Sequence, residues 1–479
     1  MRFALLAAAA TVVSVGPVTA QAPTSQTAQL RPDQQAFLEL YRELVETDTS
    51  ITTGNCTQAA AQVAARMKAA GFTDQQLVQF SVPEHPKEGG LVAILPGTSK
   101  TLKPILLLAH IDVVTAKRED WERDPYKLVE ENGYYYARGV VDDKFQSAMW
   151  ADTLIRLKQR GKAPKRTIKM ALTCGEETSG AFNGAEWLAA NRRDLIDAEF
   201  AINEGGGGRT DGKATTNGGK LLIQTLQVGE KVYQDFTLTA TNPGGHSSQP
   251  EPTNAIYEMS RALDRISAHK FPVEFSDTTR AFFAKAGTMR PDDTGKAMVA
   301  LTKNLNDGAA LALVERDKAL NSLLRTTCVA TMIDGGHALN ALPQRVEANV
   351  NCRIFPGHSP AEIKDALTRV IGNDRIKIAY QQEGKPLASP PPLDPKIVGP
   401  VERLAAKYFP GVPVIPAMST GATDAVYTGG AGIPTYGVPG HWIDPDFNGV
   451  HGLNERIEVR AVYTGRDYLF DLVNALASK

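Results

Sequence analysis

Apolar residues at Phe37, Leu40, Tyr41, Leu44 and Val45 recur with helical spacing, predicting an amphipathic helix over Pro32 to Glu46 with proline in its first turn. A second helix is expected over Ala59 to Ala70, stopped by Gly71. Strands are expected at Gln76 to Val82, Gly90 to Leu95, Ile105 to Leu108 and Thr167 to Leu172. Asp143 to Arg160, ended by Gly161, reads as an amphipathic helix between the last two strands. This alternation implies a layered α/β domain with a mostly parallel mixed sheet buried on both faces.

The pattern changes after Gly219. Val232 to Thr241 alternates Phe236, Leu238 and Ala240 with polar positions, as a strand with one wet face does. A helix to about Ser267, strands at Thr327 to Ile333 and Arg345 to Arg353, a helix at Pro360 to Ile371 and a strand at Arg375 to Gln381 complete a β-α-β-β-α-β order. Lys270 to Arg325 interrupts that order with a long polar stretch to which the sequence assigns no role. The proline-rich Glu383 to Pro395 reads as a return linker. The expected division is therefore a first domain built from residues 21–225 and 385–479, with an α+β domain over 226–384 inserted into it.

Ahead of these lies Met1 to Ala20: Arg2, an apolar run through Val15, and Val18-Thr19-Ala20 as a small-residue cleavage site. This predicts a secretory signal peptide and a periplasmic or secreted protein; the run is too short to favour a membrane span, and an uncleaved anchor is the alternative. The 52 Lys plus Arg nearly balance the 53 Asp plus Glu, which gives no field for nucleic acid or an anionic membrane. Four cysteines, Cys56, Cys174, Cys328 and Cys352, are too few for a disulfide scaffold and lack the close pairing of a thiolate zinc site. If the strands around Asn340 form an antiparallel hairpin centred on it, Cys328 and Cys352 stand opposite each other, and an oxidising compartment permits their bond.

The candidate chemistry sits at strand ends. ILLLAHID places His110 and Asp112 on one side of an extended backbone, which suits a metal-binding imidazole whose second nitrogen is held by a carboxylate. Alone, an H-x-D triplet is unspecific. ARGVVDDK, however, presents Asp142 at a helix start, TCGEETS follows a strand with Glu176 and Glu177, FAINEGGGG does so with Glu204, and GVHGLNE carries His451. Ligands arriving from successive strand ends are what open α/β sheets provide. Of Asn203 and Glu204, only the glutamate is an anionic ligand, and the glycines after it leave bare backbone for a substrate to approach.

The ordered set HxD, GxxDxK, EE, EG, GGH and a late histidine resembles the di-zinc exopeptidase and amidohydrolase family of glutamate carboxypeptidase, the aminoacylases, carnosinase, succinyl-diaminopimelate desuccinylase and Gly-Xaa carboxypeptidase. The resemblance implies two zinc ions per subunit bridged by Asp142, one completed by His110 and Glu204 and the other by Glu177 and His451. It implies Glu176 as general base, Asp112 as the partner of His110, and His246, on the inserted lid, as oxyanion stabiliser, often supplied across a homodimer joined through the lids. Asn340, Arg353 and Gly421 would bind substrate, the arginine fork gripping a carboxylate. Ala425 and Val426 stand where many relatives place an arginine, so the carboxylate site departs from the pattern. The remaining histidines, His85, His269, His337, His358 and His441, match no ligand position and are expected at the surface or in loops. The expected activity is that of a zinc metallopeptidase of carboxypeptidase or dipeptidase type acting on a small peptide. The alternatives are an N-acyl-amino-acid amidohydrolase and a catalytically silent metal-binding relative.

Overall fold

Why four consecutive apolar residues precede His110 becomes plain in the computed structural model, which describes residues 30–178, 180–212, 219–382, 386, 387 and 389–478. Strand Ile105–His110 lies between two parallel neighbours, Ile168–Thr173 and Phe200–Asn203. Ile105, Leu107 and Ala109 pack towards the core shared with helices Pro32–Glu46, Cys56–Ala69 and Val459–Ala477. Leu106 and Leu108 face a second core with Leu188, Leu195 and Ile196. With both faces covered, every residue of the strand is buried and no alternation survives in the sequence.

Among the described residues this sheet has ten strands and is mixed. Leu77–Val82 and His85–Leu95 extend one side antiparallel. On the other side Thr435–Gly437 runs parallel to Phe200–Asn203, and Val414–Ser419 parallel to Leu221–Glu230. The helix predicted as amphipathic behind Asp143 departs from expectation. Lys144–Gln159 buries every residue from Lys144 to Leu154, because it is clasped between the first helix, the last helix and the sheet.

The inserted unit is a four-stranded antiparallel sheet, ordered Thr327–Gly335, Arg345–Ile354, Val232–Thr241, Ile376–Tyr380. Helices Ala255–Ala268 and Pro360–Ile371 cover one face over Phe236, Leu238 and Val350, with Leu367 of the second helix packed among them. The stretch without a legible role folds as four helices, Asp277–Met289, Asp293–Lys303, Gly308–Val314 and Lys318–Ser322, around Phe283, Met298, Leu301 and Val314. Much of its polarity is capping, since Ser276, Asp292, Asp307 and Asp317 each accept a first-turn amide. These helices also touch the larger domain, Asp277–Met289 packing on Val414–Ser419 with Lys285 3.2 Å from Glu402.

Cys328 and Cys352 are opposite each other in the hairpin and bonded. A second disulfide, which the sequence reading did not propose, joins Cys56 to Cys174 across 118 residues. The sequence gives no local pairing for these two because a helix start and a strand end meet only in the folded domain. Alkylation of the denatured, unreduced protein should therefore find no free thiol. The Cys56→Ala/Cys174→Ala variant should lose about 2–5 kcal/mol in urea unfolding, the long closed loop making it the costlier of the two pairs. Reactive thiols in the unreduced protein would contradict the pairing. The signal peptide read over Met1 to Ala20 lies outside the described residues.

Candidate metal centre

Three adjacent parallel strands end at the same edge and deliver His110, the Cys174–Glu177 turn and Glu204 to one place. His110 Nε2 lies 3.1 Å from Asp142 Oδ1 and 3.6 Å from Glu204 Oε1. On the other side of Asp142, His451 Nε2 lies 3.0 Å from Oδ2 and 2.9 Å from Glu177 Oε2. Asp142 thus turns one oxygen to each histidine. Ligand atoms of His110, Glu176 and Glu204 all fall within 4.8 Å of one another, as do those of His110, Asp142 and Glu177.

Asp112 holds this arrangement from behind. Its backbone carbonyl is the nearer acceptor for His110 Nδ1, at 3.0 Å, with carboxylate Oδ1 at 3.5 Å. Its other oxygen accepts the backbone N–H of Glu177 at 3.0 Å, so one residue, through its backbone carbonyl and its side chain, steadies both halves of the centre.

A residue not singled out from sequence positions Asp142 and His451 together. Glu455, fully buried, accepts from Val141 N (2.9 Å) and Asp142 N (3.2 Å) on one oxygen, and from Gly139 N (3.1 Å) and the Arg138 guanidinium (2.8 Å) on the other. Arg138 also donates to the carbonyl of Gly452, next to His451. The only sequence signal was the acidic last residue of GVHGLNE, and nothing local says which loop it serves. Asp424 was likewise missed; it is buried and accepts from Thr173 Oγ1 at 2.8 Å and Asn183 Nδ2 at 2.7 Å.

The electrostatics call for cations. Burial, reinforced by neighbouring carboxylates, pushes Glu176 well above the usual range and Glu177 up to about 7, and Glu204 also rises through burial. Burial alone would lower His110, but Glu204, Asp112 and Asp142 drive it well up. Hydrogen bonding to Asp142 and Glu177 carries His451 to about 10. Protons on both imidazoles thus offset a concentrated negative charge that metal ions would offset in their place. The donor set, imidazole nitrogens and carboxylate oxygens, fits two zinc-like ions.

A cleft of about 610 Å³ opens beside the centre, walled by Glu176, Glu177 and His451, by the 421–424 loop containing Gly421, and by Tyr233 and Arg353 of the inserted unit. The Arg353 guanidinium stacks 4.5 Å over the Tyr233 ring. His246 and Asn340 are absent from this wall. His246 is exposed and pairs with Ala341 in a two-residue ladder that Asn340, also exposed, precedes, with Ser247 N donating to the Asn340 carbonyl at 3.0 Å. Ser248 N donates to His246 Nδ1, which leaves Nε2 as the protonated nitrogen. Against expectation His441 is buried, edge-on to Phe145, and burial lowers its pKa to about 4; it is a neutral core histidine.

A carboxylate-rich strand-end centre beside a lid-walled cleft is the design of an amide-bond hydrolase, and the chain is an enzyme of this class. Residues 106–475 match peptidase family M20/M25/M40, and the chain belongs to that family. It is 28% identical over 385 residues to the human N-fatty-acyl-amino acid synthase/hydrolase PM20D1, covering 79% of this chain and 75% of that protein. An M20 family metallo-carboxypeptidase from Sulfolobus solfataricus superposes with a TM-score of 0.68 at 17% identity, covering 94% of this chain and all of the other (100%). A dinuclear metal binding peptidase of the M20 family from Bacillus subtilis does so with a TM-score of 0.55 at 13% identity, covering 92% and 98%. These two structures share the fold.

Proposed function

We propose that the protein is a zinc-dependent amidohydrolase that cleaves the amide bond on the amino side of a residue with a free carboxylate. The observation that carries this reading is Arg353, a lid guanidinium in the same cleft as Glu176 and Glu177. A fork of N–H donors fixes a carboxylate at two points and so sets the scissile bond over the ligand cluster. Asp142 would bridge two zinc ions, His110 and Glu204 holding one and Glu177 and His451 the other. When bound, the ions supply Lewis acidity, polarising the carbonyl and acidifying water. Glu176 takes the proton of the attacking water and hands it to the leaving nitrogen; its raised pKa suits a group that must both accept and release one. His246 Nε2–H donates to the developing oxyanion.

The acyl side admits two forms. A peptide makes the enzyme a carboxypeptidase or dipeptidase, the form supported by the M20 fold and cleft. An aliphatic acyl group makes it an N-acyl-amino-acid hydrolase, which the likeness to the fatty-acyl-amino acid enzyme favours. Hydrolysis by the zinc-reconstituted protein should be compared across dipeptides, N-acyl amino acids and their C-terminal amides. Amidation of the carboxylate, or Arg353→Ala, should cut kcat/KM by roughly tenfold or more. Equal rates on acids and amides would remove the carboxylate from the reading, and no hydrolysis of any substrate would favour a silent relative.

The signal-like N-terminus and two disulfides support a periplasmic or secreted location. A homodimer is part of the same proposal. Thr327–Gly335 pairs on one side only among the described residues, and its exposed run includes Val329, Met332 and Ile333. An open apolar edge suits pairing with a second copy. His246 and Asn340, outside the cleft of their own chain, would then complete that of the partner. Light scattering should give a dimer, and Met332→Lys should yield monomers with little activity. A fully active monomer would refute this arrangement.

A further inference from the structure

The chain leaves the larger sheet at Glu230, the last residue of Leu221–Glu230, and enters the lid sheet at Val232. Glu230 and Lys231 therefore form the junction, Glu230 half-buried and Lys231 fully buried. Glu230 accepts the Thr423 backbone N–H on Oε1 at 3.1 Å and the Thr423 hydroxyl on Oε2 at 2.9 Å, with Gln227 Nε2 also 3.2 Å from Oε2. Gripping one residue by both its main chain and its side chain fixes position and orientation together. Thr423 Oγ1 in turn accepts from Asn203 Nδ2, adjacent to Glu204, and from Ala425 N, each at 3.1 Å.

Lys231 continues the connection the other way. It is fully buried, and its backbone N–H donates to the carbonyl of Ser419 at 3.0 Å. Its Nζ lies 3.3 Å from Thr327 Oγ1 on the lid sheet and 3.4 Å from Ser322 Oγ on the helical insertion. Two adjacent side chains thus join the substrate-cleft loop, the lid and the insertion.

We propose that Glu230 is a positioning residue for substrate binding: through Thr423 it sets the 421–424 wall of the cleft, and Lys231 ties that wall to the lid and the insertion. The proposal rests on the cleft being the substrate site, as argued above. Glu230 touches no reacting atom; it acts by placing the loop opposite Arg353, so its loss weakens productive binding more than turnover.

The test uses zinc-reconstituted full-length protein with two probes, Gly-Leu and N-lauroyl-leucine. Glu230→Ala and Thr423→Val should each raise KM on the order of tenfold with a smaller change in kcat, since each removes a hydrogen bond that holds the loop. Thr423→Ser, which keeps the hydroxyl, should recover most of the loss, and the Glu230→Ala/Thr423→Val double variant should be little worse than the poorer single one. Lys231→Met should raise KM in the same direction. A purely structural role would lower the folded fraction and leave KM alone, because KM does not depend on enzyme concentration. Hydrogen exchange gives an arm independent of activity: Glu230→Ala should speed exchange in a peptide spanning 419–425 and leave the strand Ile105–His110 protected. If wild type hydrolyses neither probe, the functional reading fails while the exchange result still decides the loop. Unchanged KM in Glu230→Ala, additive effects in the double variant, or exchange that speeds everywhere would overturn the proposal.

Discussion

Glu176→Gln should retain both metal ions and a wild-type unfolding curve yet lose roughly 10²- to 10⁴-fold in turnover, while its neighbour Glu177→Gln should release metal. The two side chains leave one turn in different directions. Glu177 reaches His451, 2.9 Å from Nε2, and its own backbone N–H is fixed by Asp112. Such a carboxylate is a ligand held from behind, and replacing it with an amide removes an anionic donor. Glu176 is half-buried beside His110 and Glu204 and lines the cleft where substrate would enter. It is close enough to those residues to ligate, which makes metal analysis the deciding measurement. The amide is nearly isosteric, so packing offers no alternative explanation for a large rate loss. Zinc lost from Glu176→Gln would make that residue a ligand, and turnover near wild type would remove it from proton transfer altogether.

Glu455→Ala should be the most damaging change outside the ligand set. Its carboxylate accepts from four donors, three of them backbone N–H groups of the turn that carries Asp142. Removing it leaves the Arg138 guanidinium buried without its counter-charge, a change that costs about 3–5 kcal/mol. The same loss frees the Asp142 turn from the His451 loop, so metal affinity should fall about 10- to 100-fold, as when supporting partners of ligands are lost. Glu455→Gln keeps one carbonyl oxygen for the backbone amides and should fall between. Urea unfolding of the metal-free protein isolates the first effect, and zinc titration measures the second. A variant with an unchanged midpoint and unchanged zinc affinity would show that Asp142 is held by other means.

Much of the local structure was legible because periodicity records which face of an element is buried. Pro32–Glu46, Val232–Thr241 and Pro360–Ile371 fall where their spacing put them. The pairing of Cys328 with Cys352 followed from symmetry about Asn340, and a bulge between Ala330 and Met332 shifts the register by one residue nearer the turn. The ligand candidates were legible as well: His110, Glu176, Glu177 and Glu204 close apolar strands, where a doubly covered sheet meets solvent, while Asp142 precedes a helix and His451 lies in a turn.

Where the sequence misled, a distant segment had changed an element's surroundings. Lys144–Gln159 carries polar residues that suggested a wet face, yet Gln146, Ser147, Asp152 and Thr153 are buried, Asp152 against Arg466 of the last helix at 2.9 Å. The insertion read as featureless polar chain because each short helix spends its aspartates and serine on caps. His246 and Asn340 are a different case: the resemblance lets the histidine serve a partner's site, so their place outside the cleft of their own chain does not overturn the assignment.

By itself, then, the sequence determined most elements outside the insertion, the pairing of Cys328 with Cys352 and the ligand candidates, all of which depend on spacing along a few residues. Only the tertiary structure decided that Cys56 bonds Cys174, that Glu455 serves the turn before Asp142, and that Glu230 grips Thr423. Each of these joins segments far apart in the chain, and such a pairing is set by which strands lie side by side and which loops meet at the sheet edge. Spacing along the backbone carries no trace of that choice, because it arises only when the two cores pack and the carboxylates left between them must find their donors.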